Sequence, residues 1–522
     1  MHHVDFARLA RGGAYCAIAA ILLFFGVRLF GAMPQIFCWP DSKGYLLPAA
    51  NFVSAAPFTG AAGRSVGYPA LLYAILRFGE IRDIYFVQCA LALGTGLAFA
   101  AALCLIVRET RYKTIGLLLA ALFTLLLVGY QPLTNYVSFV MPEVLYIFLS
   151  VLITFLTLAA WVSRATNIKL TLFVLGVVLS VANCLVKPHW WGAAIVSIVL
   201  FGAAWATTLS RDRARSLAAL FVAIAGSCAL IFEQWSFSKN DTTNHTFGPL
   251  TLFCDHLDIA RPTLEGNFPA NAPEASRRAL LAEIDAVLAT KDPAWALNGG
   301  VNGGEKCLYS AKVRLPLSQI FARDQDLGRF AMSAFIDGVK HNPKAYLAKV
   351  ARQFTGVLSA PFGNPALLES TDPDLHVPDL VAALPTALKD SAIGTISDGE
   401  TLPVFRGRLA PVGHQATRIL FISNHLAIYI FLAGLVAACM LLPSREAVDR
   451  TTALMFVACL TLYLSSLGVV AASHTFDYPR YVHTTVPLAL LTYFSSILVL
   501  ISATHHAFRL IAPAKGVPAQ VE

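Results

Sequence analysis

The chain has 522 residues, of which 57% are hydrophobic and 13% charged, with a mean hydropathy of +0.63. Soluble domains carry about 25% charged residues, so a soluble globular enzyme is excluded and a polytopic membrane protein is expected. The net charge of +8 does not indicate a nucleic-acid binder, because the basic residues cluster beside apolar runs, where they set orientation.

Apolar runs of about 20 residues, the length that spans a bilayer, lie near 14–32, 84–107, 114–131, 142–162, 169–186, 189–208, 215–235, 417–442, 451–472 and 484–506. They predict an all-α polytopic fold with ten transmembrane helices. The first run is longer than a signal-peptide core and lacks a convincing small-residue cleavage site, so an uncleaved helix is expected. Alternate connectors are short and basic: "RETRYK" (108–113), "SRATNIK" (163–169), "SRDRAR" (210–215) and "SREAVDR" (444–450). Arg8 and Arg11 precede the first run, and Arg509 and Lys515 follow the last. The positive-inside rule then predicts both termini in the cytoplasm. Three modules follow: an N-terminal membrane module at 1–235 with an outer loop at 33–83, an outer segment at 236–416 between spans seven and eight, and a C-terminal membrane module at 417–522. The alanine-rich composition points to a bacterial inner membrane, with the outer segment in the periplasm.

The outer segment carries a helical pattern, "EASRRALLAEIDAVLA" (274–289), followed by the turn-rich "NGGVNGG" (298–304). It reads as a small soluble domain or lid with its own helices, of mixed or helical structure. Seven of the ten cysteines fall within spans and behave as small hydrophobes. Cys38, Cys254 and Cys307 fall outside, in what would be an oxidising compartment, where Cys254 and Cys307 are candidate disulfide partners and Cys38 competes. "GTGLAF" (94–99) resembles a dinucleotide glycine pattern but lies within a span, where helix packing explains it.

Charged groups at membrane depth cost about 2.5–3.5 kcal/mol each on insertion scales, so their placement carries information. Asp41 stands in "CWPDSKGYLLPA" (38–49), and Arg64 precedes Tyr68 in "GRSVGYPALLYAIL" (63–76). Glu143 stands in "SFVMPEVLYIFL" (138–149), Lys187 and His189 in "CLVKPHWWG" (184–192), and Asp477, Arg480, Tyr481 and His483 in "HTFDYPRYVHTTVPLALL" (474–491). Singly, each has an ordinary role as a loop acid, an interfacial anchor, a snorkelling cation or a headgroup contact. Together they fall on one predicted face, the outer one.

Outward carboxylates beside outward cations at a lipid boundary suit sugar transfer from a polyprenyl phosphate. Arg and Lys stabilise the charge that grows on the phosphate as the glycosidic bond breaks. Lipid phosphate leaves without a general acid, whereas the acceptor hydroxyl needs one carboxylate to take its proton. The result is a single displacement with inversion.

In this order the segments resemble the GT-C superfamily of integral-membrane glycosyltransferases, in the branch of aminoarabinose transferases and protein O-mannosyltransferases. The resemblance rests on "DSKGY" (41–45), "RSVGYPALL" (64–72), "MPEVLY" (141–146), "VKPHW" (186–190) and "PRYVHTTVPLALL" (479–491). "HNPKAYLAKVARQF" (341–354) is similar to a membrane-approaching segment of such proteins. The resemblance implies that Asp41 is the catalytic base and Glu143 a second carboxylate helping the acceptor or a metal. It implies donor-phosphate contacts from Arg64, Lys187, Arg480 and Tyr481, with Lys43, Tyr45, Tyr68 and His189 shaping the substrate site. The sequence requires no cofactor; a divalent metal, if held, would fall to Asp41 and Glu143, although Ser42 stands where the family often pairs a second acid. The partners implied are a polyprenyl-phosphate sugar, a glycolipid, glycan or protein acceptor, and membrane lipids. Two rivals stay open: an O-antigen ligase or polymerase using a polyprenyl-diphosphate donor, and a lipid-linked sugar transporter without chemistry.

Overall fold

The computed structural model describes residues 6–32, 34, 36–38, 41–60, 63–239, 247–289, 307–308, 310–362, 384–386, 388–389, 396–397, 410–444, 446–473 and 478–511. Segments this apolar fold as helices because lipid offers the backbone no hydrogen bonds, so each peptide group must be satisfied within its own segment.

The first helix, α1 (Phe6–Gly31), leads to a two-residue strand, β1 (Ile36–Phe37), and two short helices, α2 (Ser42–Val53) and α3 (Gly67–Phe78). Then come α4 (Ile81–Arg108), α5 (Lys113–Val128), α6 (Gln131–Tyr136), α7 (Glu143–Val162), α8 (Thr166–Val186), α9 (Trp191–Leu209) and α10 (Arg213–Lys239). The following region holds α11 (Phe247–Asp255), α12 (Leu257–Ala260), α13 (Glu274–Ala289), α14 (Ala311–Ile320), α15 (Asp324–His341) and α16 (Pro343–Ser359). A strand, β2 (Ile396–Ser397), pairs in parallel with β1, and α17 (Ala410–Leu441), α18 (Ala447–Ser473) and α19 (Tyr478–Ile511) complete the chain.

Among the described residues nine helices are long and apolar enough to cross a membrane: α1, α4, α7, the α8, α9 and α10 series, α17, α18 and α19. The architecture is that of an all-α polytopic membrane protein. The expected third span, 114–131, is the 16-residue helix α5. At 1.5 Å per residue it rises about 24 Å, short of the roughly 30 Å hydrocarbon core. It stops at Gly129, and Pro132 sits in the first turn of α6, which continues the path after a break. The combined unit reaches from one bundle end to the other: α5 starts beside the end of α4, while the Tyr130 hydroxyl contacts His483 near the start of α19.

The ends of the bundle differ in chemistry. At one, the basic connectors converge: Arg111 pairs with Glu446 and, at 3.3 Å, with Asp449, while Arg509 reaches Glu446 at 2.9 Å. At the other end lie α2, α3 and the helices after α10. The latter bury a core of their own, including Leu250, Phe253, Leu257, Leu280, Ile284 and Phe330. Cys254 and Cys307 are joined there by a disulfide with Cα atoms 5.5 Å apart, and Cys38 is a buried free thiol. The pattern at 274–289 is α13; "NGGVNGG" lies outside the described residues. "GTGLAF" lies within α4, where a Cβ on Gly94 would stand 2.8 Å from the Phe148 ring, so close helix packing occupies the glycine face.

Candidate active site

The segment after α1 is pinned beside the start of α7 by backbone bonds. Phe37 N–H donates to the Ser138 carbonyl at 2.7 Å, and Val140 N–H donates to the Phe37 carbonyl at 3.0 Å. The Ser42 hydroxyl donates to the Val140 carbonyl at 2.9 Å, fixing the first turn of α2 against the same strand-like stretch. These bonds set Asp41, at the head of α2, near Glu143, at the head of α7. Aspartate is a preferred helix cap, yet Asp41 makes no side-chain cap bond; its carboxylate pairs with the Arg64 guanidinium instead.

Arg64 is held by the entry to α3. Val66 N–H donates to Gln234 Oε1 at 2.8 Å, and Gly60 N–H donates to the Phe237 carbonyl at 3.0 Å, tying the loop to the end of α10. Gly67 is required by close approach: a Cβ there would meet the Leu185 carbonyl oxygen at 2.7 Å. α3 thereby packs on the end of α8 and brings Tyr68 inward.

Glu143 opens α7, and Lys187 ends α8. The residue before a proline is pushed into extended backbone, and Lys187, with φ −142° and ψ 117°, follows that rule ahead of Pro188. Its Nζ meets Glu143 Oε1 at 2.6 Å, with side chains 6% and 0% exposed. The carboxylate sits at the positive end of one helix dipole and the ammonium at the negative end of another, which favours both charges. Pro188 then starts the short 3₁₀ turn Pro188–Trp190, which places His189 against Tyr146 at 4.6 Å and Tyr481 at 5.0 Å between ring centroids. Lys187 Nζ also lies 5.0 Å from the Tyr481 ring centre.

Two tyrosines join the ion pairs into one site. Tyr45 and Tyr68 meet edge to face at 5.5 Å, and the Arg64 guanidinium lies 5.3 Å over the Tyr45 ring. Burial, and after it the nearby Glu143 charge, raises the Tyr68 phenol well above its ordinary pKa, so it stays neutral. Asp41, Arg64, Tyr45, Tyr68, Glu143, Lys187, His189 and Tyr481 therefore occupy one end of the bundle. Lys43, two residues along α2 from Asp41, is exposed. Arg480 lies in the first turn of α19, one residue before Tyr481; its side chain and Asp477 are outside the described residues.

The sequence reading missed Tyr146 and Ser466. Tyr146 lies one turn along α7 from Glu143, on the same face, and its hydroxyl is 3.2 Å from Ser466 Oγ on α18. The E-x-x-Y spacing was its only sequence signal. It also missed a buried polar knot in which His256 Nε2 and Lys349 Nζ lie 2.7 Å apart. His256 Nδ1 is 2.7 Å from the Leu252 carbonyl. Nε2 lies 3.1 Å from the Ala472 carbonyl as well, so both ring nitrogens face a carbonyl acceptor. The Tyr346 hydroxyl and Lys349 reach the carbonyls of Ala472 and Ala471 at 3.2 and 3.4 Å, tying α16 to the end of α18.

Among the described residues no three His, Cys, Asp or Glu side chains converge as a metal site. Asp41 and Glu143 each face a cation, and those described donors do not fit a divalent ion. The arrangement can instead hold an anion against Arg64 and Lys187 while a carboxylate accepts a proton. Compared with models of known protein families, with curated proteins and with solved structures, the chain matches none.

Proposed function

We propose that the chain is a membrane glycosyltransferase of the GT-C kind. It would move a sugar from a polyprenyl-phosphate donor to a lipid, glycan or protein acceptor on the outer, periplasmic face of a bacterial inner membrane. The observation that carries the reading is the pairing of two carboxylates with two cations, Asp41 with Arg64 and Glu143 with Lys187, at the bundle end away from the basic connectors.

In this reading the donor phosphate settles between Arg64, Lys187 and Arg480. Arg64 turns from Asp41 toward the phosphate, and that exchange releases the Asp41 carboxylate. Asp41 then takes the proton of the acceptor hydroxyl as its oxygen attacks the anomeric carbon. The bond to the phosphate oxygen breaks with its electron pair staying on the phosphate, and the configuration at the anomeric carbon inverts. Glu143, wholly buried beneath Lys187, is a positioning residue that holds the ammonium toward the phosphate. Tyr45, Tyr68, His189 and Tyr481 supply rings against which a sugar can lie.

A radiolabelled polyprenyl-phosphate sugar, incubated with the purified protein in vesicles, tests the reading. Label appearing on an acceptor supports it. Movement of intact donor across the bilayer without transfer makes the protein a transporter.

A further inference from the structure

At the opposite end of the bundle, α1, α4, α5 and α7 line an open cleft of about 780 Å³. Arg8 and Arg11 approach it from the first turns of α1, Arg108 from the last turn of α4, and Lys113 from the start of α5. Gly12 and Phe155 contribute to its apolar part, and none of its described lining residues is acidic. Arg108 also contacts the neighbouring Glu109 at 3.0 Å, and Arg11 Nε donates to the Ala7 carbonyl at 3.2 Å.

Setting orientation requires only that basic residues lie on one side of the membrane. It does not require cations from α1 and from the α4–α5 turn, about 100 positions apart in sequence, to line one cleft. Although Arg108 already pairs with Glu109, four cations on one cleft with no acidic residue in its described lining concentrate positive charge there and favour a bound anion. The apolar part, set among membrane-spanning helices, would leave a free inorganic anion without partners but suits an acyl chain. Basic pockets between transmembrane helices bind anionic lipid headgroups on these grounds, and the volume falls within the range of about 300–1,000 Å³ found for ligand pockets.

We infer that this cleft is a binding site for an anionic phospholipid, its phosphate among Arg8, Arg11, Arg108 and Lys113 and an acyl chain along the apolar wall. The site is separate from the proposed transfer site and does not depend on it.

The test uses the purified full-length protein in detergent and native mass spectrometry of retained lipid. Phosphatidylglycerol and phosphatidylcholine of the same acyl composition are titrated in parallel. Two variants are compared with the parent. Arg11→Gln/Arg108→Gln removes two cations and should weaken phosphatidylglycerol retention roughly 30-fold, at about fivefold per cation. Gly12→Trp leaves the charge and the orientation signal intact. A Cβ at Gly12 meets nothing within 4 Å, so the larger side chain can enter the cleft without displacing protein. It should reduce retention of phosphatidylglycerol while the protein's melting temperature is preserved. The expected result is preference for phosphatidylglycerol in the parent, loss in both variants, and no displacement by inorganic phosphate. Equal retention of both lipids, undiminished retention by Gly12→Trp, or displacement by inorganic phosphate would each overturn the assignment.

Discussion

Glu143, the first residue of α7, and Lys187, the residue that ends α8, meet at 2.6 Å although 44 positions separate them. Both side chains are almost wholly buried, so each charge depends on the other. Removing one partner of a buried pair costs about 3–5 kcal/mol, because the remaining charge is left without compensation. Glu143→Gln and Lys187→Met should therefore each lower the unfolding temperature in detergent markedly. The double variant should regain most of that stability yet remain inactive in transfer, since the phosphate contact is gone. Single variants that melt like the parent would show that the pair is not a unit.

Under the proposed function Arg480 reaches the donor phosphate, so Arg480→Ala should weaken use of the donor. Arg480→Lys should restore only part of it, because an ammonium cannot reproduce the planar two-pronged contact of a guanidinium. Donor saturation curves in the transfer assay measure both effects, and an unchanged KM for donor in Arg480→Ala would remove this residue from the phosphate site.

The disulfide between Cys254 and Cys307 closes a loop of 53 positions. Chain entropy alone assigns such a crosslink about 4 kcal/mol. Cys254→Ser/Cys307→Ser should lower the melting temperature, and reductant should have a matching effect on the parent but none on the variant. Non-reducing peptide mapping with free thiols at both positions would contradict the bridge.

Lys349 is buried among Asp255, Asp258 and His256, and burial lowers its pKa to about 8 while the two aspartates act in the opposite direction. An unfolded lysine titrates near 10.4. Between those two values the unfolded chain holds a proton that the folded chain has released, so stability rises with pH across that window. Below pH 8 both states are protonated and the burial cost of the ammonium is fully present. Thermal unfolding from roughly pH 8 to 10 should show the parent gaining stability relative to Lys349→Met. Parallel curves would contradict the account of this knot.

Hydropathy made the long helices legible, because lipid forces apolar segments to satisfy their backbone internally. The interruption at Gly129 and Pro132 was less visible, since the apolar run continues to 128 and the turn residues follow without a charge. Asp41, Arg64, Glu143 and Lys187 stood out as charges beside apolar runs, but which cation faces which carboxylate was not readable. That choice depends on the Phe37–Val140 backbone bonds and on the close approach of Gly67 to Leu185, neither of which has a side-chain signature. The His256–Lys349 contact was hidden for the same reason: 93 positions separate two residues that are ordinary in their local sequence.

The orientation of the bundle can be read with single cysteines in a background cleared of native ones. Thr110 is 2% exposed and would resist labelling on either side, so Ala165, an exposed residue of the 163–169 connector, is the better inner probe. Ala282, exposed on α13, serves as the outer probe. In intact cells an impermeant maleimide should label Ala282→Cys and spare Ala165→Cys. The opposite pattern would give the Asp41 site access to cytoplasmic nucleotide sugars and remove the case for a lipid-linked donor.

In the proposed mechanism Asp41 accepts a proton from the acceptor during sugar transfer. Asp41→Asn keeps the shape of the side chain and removes that capacity, so turnover with a labelled polyprenyl-phosphate sugar should fall by about 10²–10⁴-fold. Donor binding and the melting temperature should be largely kept. Transfer by purified Asp41→Asn at close to the parent rate would contradict this mechanism.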